Sequence, residues 1–159
     1  MSVESFTGGC SCGAVRFRMN ARPLFVHGCH CRGCQRQSGS AFAINALVET
    51  DRVELLSGAP EAVDLPTPSG AGQRVLRCPA CRVAVWSHYL RAGMKLVFVR
   101  VGALDEPDRF PPDIHIWTDS KQPWVTLPAG VPAVPGYYDA KEYWPAASLE
   151  RRQALVSAE

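Results

Sequence analysis

The chain has 159 residues, of which 47% are hydrophobic and 20% charged. That excludes a highly charged, apolar-poor disordered chain and fits one ordinary domain. The formal charge of +2 is only mildly basic. No run approaches the roughly 18 to 20 consecutive apolar residues of a membrane-spanning helix, and the first ten residues lack a basic region followed by an apolar one, so a soluble, cytoplasmic protein with no membrane partner is expected.

Thirteen prolines and thirteen glycines cut helices short and favour brief strands joined by tight turns, so the expected fold class is mainly β. Residues 14–19 alternate apolar and basic side chains with period two, which predicts a half-buried strand with Arg16 and Arg18 facing outward. Residues 24–26 form a second strand candidate leading into Cys29-His30-Cys31-Arg32-Gly33-Cys34, and residues 32–38 suit one or two helical turns. Strands are predicted over 41–48 and 53–56, a turn over 57–60, a loop over 66–72, and further strands over 73–77, 83–87 and 96–101. After Leu104 the prolines at 107, 111, 112, 123, 128, 132 and 135 interrupt regular structure, while residues 147–156 suit a terminal helix. There is no internal repeat. The expected organisation is one domain over residues 1–140 and an extension over 141–159 carrying the helix.

The seven cysteines fall into three groups, Cys10-Ser11-Cys12, Cys29 to Cys34, and Cys78-Pro79-Ala80-Cys81. An odd number of tightly spaced cysteines without a secretion signal suits a metal better than a disulfide framework. On an extended segment Cys10 and Cys12 would project from one face, and a turn in Cys78-Pro79-Ala80-Cys81 would bring two sulfurs to one side. Those four together satisfy a structural zinc. Cys29, Cys31 and Cys34 remain, and three protein ligands with an exchangeable fourth position is the arrangement of a catalytic zinc. Two other readings stay open: that His27, His30 or His88 supplies a fourth ligand, or that the three form a metal-free core cluster. Seven thiolates around two zinc ions would turn the formal +2 into −1, so no electrostatic case for nucleic acid survives.

The sequence resembles the glutathione-dependent formaldehyde-activating enzyme family, which also includes centromere protein V. The resemblance rests on Gly9-Cys10-Ser11-Cys12-Gly13-Ala14-Val15, on Cys29-His30-Cys31-Arg32-Gly33-Cys34 through Ser38-Gly39, on Cys78-Pro79-Ala80-Cys81, and on Pro112-Asp113-Ile114-His115-Ile116-Trp117 through Pro123-Trp124. It implies a mainly β, tent-like fold, so the expected class is a small zinc-stapled fold of stacked antiparallel sheets, to which the residues themselves add short helical turns and a C-terminal helix. It also implies a structural zinc on the CxC and CxxC pairs and a second zinc on CxCxxC near which glutathione binds. Family members usually have glycine directly after the CxxC pair, where a positive φ helps the turn; here that residue is Arg82, which could instead lie over an anionic four-thiolate centre.

The expected activity is that of a carbon–sulfur lyase joining or parting a small thiol such as glutathione and an aldehyde such as formaldehyde, with Cys29, Cys31 and Cys34 at the reacting centre. Arg32 and Arg36, and more weakly Lys121, are candidates to hold glutathione's carboxylates, or else form a solvated face. His115, Trp117 and Trp124 suit a pocket wall or, more simply, packing at the edge of a small core. His30 is expected to point away from the metal by strand alternation. The alternative function is a zinc-stapled binding module for a protein partner, which would leave the third cysteine group without a purpose.

Overall fold

The computed structural model describes residues 4–157. It is mainly β: ten strands fall in two sheets, with three α-helices and several single 3-10 turns among the described residues. The strands are β1 (Phe6–Gly9), β2 (Arg16–Met19), β3 (Phe25–Cys29), β4 (Ala43–Glu49), β5 (Val53–Ser57), β6 (Glu61–Leu65), β7 (Gln73–Arg77), β8 (Ala84–Tyr89), β9 (Leu96–Arg100) and β10 (Ile114–Ile116). The helices are α1 (Arg32–Ser38), α2 (Ala140–Tyr143) and α3 (Ala146–Ser157). None is long and apolar enough to cross a membrane.

The chain divides into two compact units. The first combines the described residues up to Pro23 with Ala46–Phe110. In it β1, β2 and β5 form a three-stranded antiparallel sheet, and the second sheet runs in the order β4-β9-β8-β7-β6. Period-two alternation sets the sidedness of β2: Phe17 and Met19 are fully buried, while Arg16 pairs with Asp105 and Arg18 with Glu54. The Phe17 ring meets Trp86 edge-on at 5.4 Å between centroids, and Val75, Val85 and Val99 complete the interior.

The second unit comprises Leu24–Asn45 and the residues from Pro111 onward. Its strand order is β10-β3-β4, and β10 runs parallel to β3, with Ile114 opposite His27 and Ile116 opposite Cys29. All five residues of β3 and all three of β10 are buried. The Asp113 carboxylate accepts the Val26 N–H at 2.8 Å, closing the start of this pairing. Gly28 is required by close approach: a Cβ there would lie 2.7 Å from His115 Nδ1.

Candidate metal centres

In the first unit the sulfurs of Cys10, Cys12, Cys78 and Cys81 lie within 4.8 Å of one another. Two similar turns bring them there. Cys10 N–H donates to Val15 O and Cys78 N–H to Val83 O, while Gly13 N–H returns to Cys10 O and Arg82 N–H to Cys78 O. Each turn needs one residue with positive φ, supplied by Gly13 at 78° and Arg82 at 64°. Arg82 thus adopts the backbone of the glycine it replaces. Its guanidinium pairs instead with an exposed carboxylate at the start of β6, donating to Glu61 Oε2 at 2.8 Å. Cys10 and Cys12 are also not on an extended segment: the chain turns at Ser11-Cys12, and the turn rather than strand alternation aligns the two sulfurs.

The sulfur geometry fits zinc. A tetrahedral ion at about 2.3 Å from each sulfur separates the sulfurs by about 3.8 Å, and Cys10–Cys12 and Cys12–Cys78 stand at 3.5 and 3.7 Å. Backbone donors favour thiolates here. Val15 N–H donates to Cys10 Sγ at 3.3 Å and holds that thiol down at about 6, and Val83 N–H lowers Cys81.

In the second unit Cys29, Cys31 and Cys34 bring three sulfurs within 4.8 Å of one another. Cys29 ends β3, Cys31 caps α1 and accepts Cys34 N–H at 3.3 Å, and Cys34 is buried on the first turn of α1. Bonds from Cys29 and Cys34 hold the Cys31 thiol down, while bonds with Cys31 and Cys34 push Cys29 up. An ion bound by all three as thiolates displaces their protons.

No histidine joins this set among the described residues. His27 Nε2 bonds the Tyr138 hydroxyl, His88 Nδ1 bonds Leu96 O at 2.9 Å, and His30 Nε2 bonds His115 Nδ1 at 2.9 Å. His30 stacks on Phe42 with centroids 4.6 Å apart and is fully buried, its Nδ1 lacking a hydrogen-bond partner. Desolvation first, then His115, pushes it down to about 4, so it is neutral near pH 7.

The cysteine loop is braced by Gln35, whose Nε2 donates to His30 O at 2.7 Å and Ser120 O at 3.0 Å, while Ser120 Oγ donates to the same His30 O. Neither Gln35 nor Ser120 stood out in the sequence; the only signal was the position of Gln35 directly after a cysteine at a helix start. Arg32 and Arg36 lie exposed on α1, Arg32 donating to Gln35 Oε1 at 2.8 Å. Lys121 is spent on the carbonyls of Gln122 and Val125. His115 is buried, whereas Trp117 is half exposed with φ 56° and Trp124 is 72% exposed, so a packing role does not describe Trp124.

A profile of the family described as glutathione-dependent formaldehyde-activating enzyme matches residues 5–120. A Halomonas elongata protein, provisionally named a glutathione-dependent formaldehyde-activating enzyme, is 29% identical over 127 residues, covering 76% of this chain and 79% of its own. A solved Rhodobacter sphaeroides structure aligns at 20% identity with a TM-score of 0.46, over 62% of this chain and 87% of that one.

Proposed function

We propose, from the premise that this chain belongs to the glutathione-dependent formaldehyde-activating enzyme family, that it is a zinc-dependent carbon–sulfur lyase acting on a small thiol, glutathione or a relative, and an aldehyde of the formaldehyde type. The observation that carries the reading is the unequal pair of sulfur sets: four that complete a coordination sphere and three that leave one position for a substrate. We take residues 1–140 as the zinc-binding domain and 141–159 as its extension. A reducing, cytoplasmic setting would preserve all seven free thiols.

Cys10, Cys12, Cys78 and Cys81 would hold a structural zinc, and Cys29, Cys31 and Cys34 a second. Zinc bound there would keep a substrate thiol deprotonated near neutral pH and so supply a nucleophile for the aldehyde carbon. Arg36, which has no partner among the described residues, is free to meet a glutathione carboxylate. Arg32 can do so by releasing Gln35 Oε1. Gln35 and Ser120 keep the His30 carbonyl, and with it the cysteine loop, in place.

The test combines elemental analysis with NMR of glutathione and formaldehyde. Wild type should carry two zinc ions per chain and accelerate adduct formation or breakdown. Cys29→Ser should carry one zinc, remain folded and lose the acceleration, while Cys78→Ser should unfold far more readily. A wild type with one zinc and no acceleration would defeat the reading and favour a zinc-stapled binding module for a protein partner.

A further inference from the structure

Side chains alternate along a strand, so Phe25, His27 and Cys29 share one face of β3 and Gly28 and His30 take the other. On the Cys29 face a group of aromatic rings from the C-terminal segment gathers. Trp144 stacks on Phe25 at 5.8 Å, Tyr137 meets the His27 ring edge-on at 6.0 Å, and Tyr137 stacks on Tyr138 at 4.9 Å between centroids. His27 and Cys29 are one alternation apart, about 7 Å, so a ring packed on His27 lies over the same face of β3 as Cys29. The backbone agrees. Ile116 lies opposite Cys29, and the next residue, Trp117, donates its N–H to Gly136 O at 2.9 Å, which sets Tyr137 one chain-width beyond β10 at the same level.

The two neighbouring phenols are used differently. Tyr138 receives Trp144 Nε1–H at 2.7 Å, and its hydroxyl is also bonded to His27 Nε2. Tyr137 has no hydrogen-bond partner for its hydroxyl among the described residues, and the residue is 56% exposed. A phenol keeps its proton through the neutral range, so Tyr137 has an O–H to donate there. Trp117, which anchors the Gly136 carbonyl, is a non-glycine residue held at φ 56°, a strained backbone directly after β10.

We infer that Tyr137 is a catalytic hydrogen-bond donor at the Cys29–Cys31–Cys34 centre, aimed at the oxygen of the thiol–aldehyde adduct. The inference rests on the thiol–aldehyde reading above, and it assigns a role to a residue outside the family-matched segment 5–120. As the thiolate sulfur bonds to the carbonyl carbon, the C=O π pair moves onto oxygen. The Tyr137 O–H stabilises that developing charge. The proton lost from the thiol enters water, and the adduct oxygen takes one proton from water, so the adduct is neutral and Tyr137 ends unchanged.

The experiment uses the full-length, zinc-loaded protein and two stable ligands that differ by hydroxyl for methyl, S-(2-hydroxyethyl)glutathione and S-propylglutathione. Tyr137→Phe keeps the ring and its packing. Calorimetry should show about 3- to 10-fold weaker binding of the hydroxyl ligand and unchanged binding of the propyl ligand. In the adduct assay kcat should fall roughly 10- to 100-fold with KM for the thiol unchanged. Tyr138→Phe, which removes a tied hydroxyl, should lower thermal stability and leave the preference between ligands intact. Equal losses for both ligands, no change for either, or the same loss of preference in Tyr138→Phe would overturn the assignment. If wild type binds neither ligand and forms no adduct, the thiol–aldehyde reading falls and takes Tyr137 with it. If wild type does both and Tyr137→Phe matches it, only Tyr137 falls.

Discussion

Replacing Arg82 by glycine and, separately, by alanine isolates the cost of the strained turn at the four-sulfur site. The φ of 64° cannot relax freely, because Arg82 N–H is bound to Cys78 O and Cys78 N–H to Val83 O, both at 3.0 Å. A residue with a Cβ in that region costs about 1 to 2 kcal/mol, and glycine avoids this. Glycine in turn loses about 0.4 to 1 kcal/mol through the greater freedom of the unfolded chain. Both substitutions remove the same exposed ion pair with Glu61, so that contribution cancels between them. Arg82→Gly should therefore exceed Arg82→Ala in stability by about 0.5 to 1 kcal/mol, or roughly 1 to 4 °C in melting temperature. The comparison is made by thermal and urea unfolding with zinc in excess, together with the rate of zinc transfer to a chelator, which should be slower for the glycine variant. An alanine variant as stable as the glycine variant would refute the claim that this backbone is strained.

The Arg16 hydrogen bonds, with help from Thr7, hold the Asp105 carboxyl down at about 2. Its stabilising effect is thus present above the ordinary carboxylate range and lost as the pH falls toward 2. The gap in urea midpoint between wild type and Asp105→Asn should be widest near pH 7 and narrow as the pH falls below 5. Comparing the two proteins at each pH cancels the acid lability of the metal sites, and a gap independent of pH would contradict the pairing. Gly28→Ala places a methyl 2.7 Å from His115 Nδ1 and 3.0 Å from its Cε1, against a ring already fixed by His30 and Phe42. Net destabilisation of about 1 to 2 kcal/mol is expected from overpacking, less the entropy gained by removing glycine. A neutral effect on the melting temperature would mean that β10 can move away from β3 at no cost.

Much of this was legible before the structure. Alternation identified β2, and turn residues bounded β5, β7, β8 and β9 to within about two residues; the cysteine spacing divided the sulfurs into the two sets that meet in space. The strands not foreseen are β1, β6 and β10. β6 is exposed at four of its five positions, so no apolar pattern marks it, and the sequence could not show its pairing with β7 or the Asp64–Arg74 ion pair. β10 has only three residues and follows two prolines, yet its parallel register against β3 sets the level of everything near Cys29. Local propensity is silent about a pairing between residues 87 positions apart. Tyr137 escaped notice for the same reason: its significance comes from the face of β3 on which it lands, and nothing in Gly136-Tyr137-Tyr138 itself encodes that.

The two sulfur sets differ in what holds them before any metal arrives, and this bears on their separate uses. The four-sulfur set joins two turns far apart in sequence, Cys10–Gly13 and Cys78–Arg82. Each turn is closed by its own backbone bonds, but the metal would be a direct link between them, so its loss should register as lost folding energy. The three-sulfur set lies within six consecutive residues, Cys29 to Cys34, already fixed by the β3–β10 pairing, the Cys31 cap and the Gln35 and Ser120 bonds to His30 O. A frame that keeps its shape without the ion can let a ligand exchange at the fourth position without unfolding, as turnover requires. On the proposed reading the first set staples the chain and the second works on a substrate, a division that the hydrogen bonds around the sulfurs support as much as their number does.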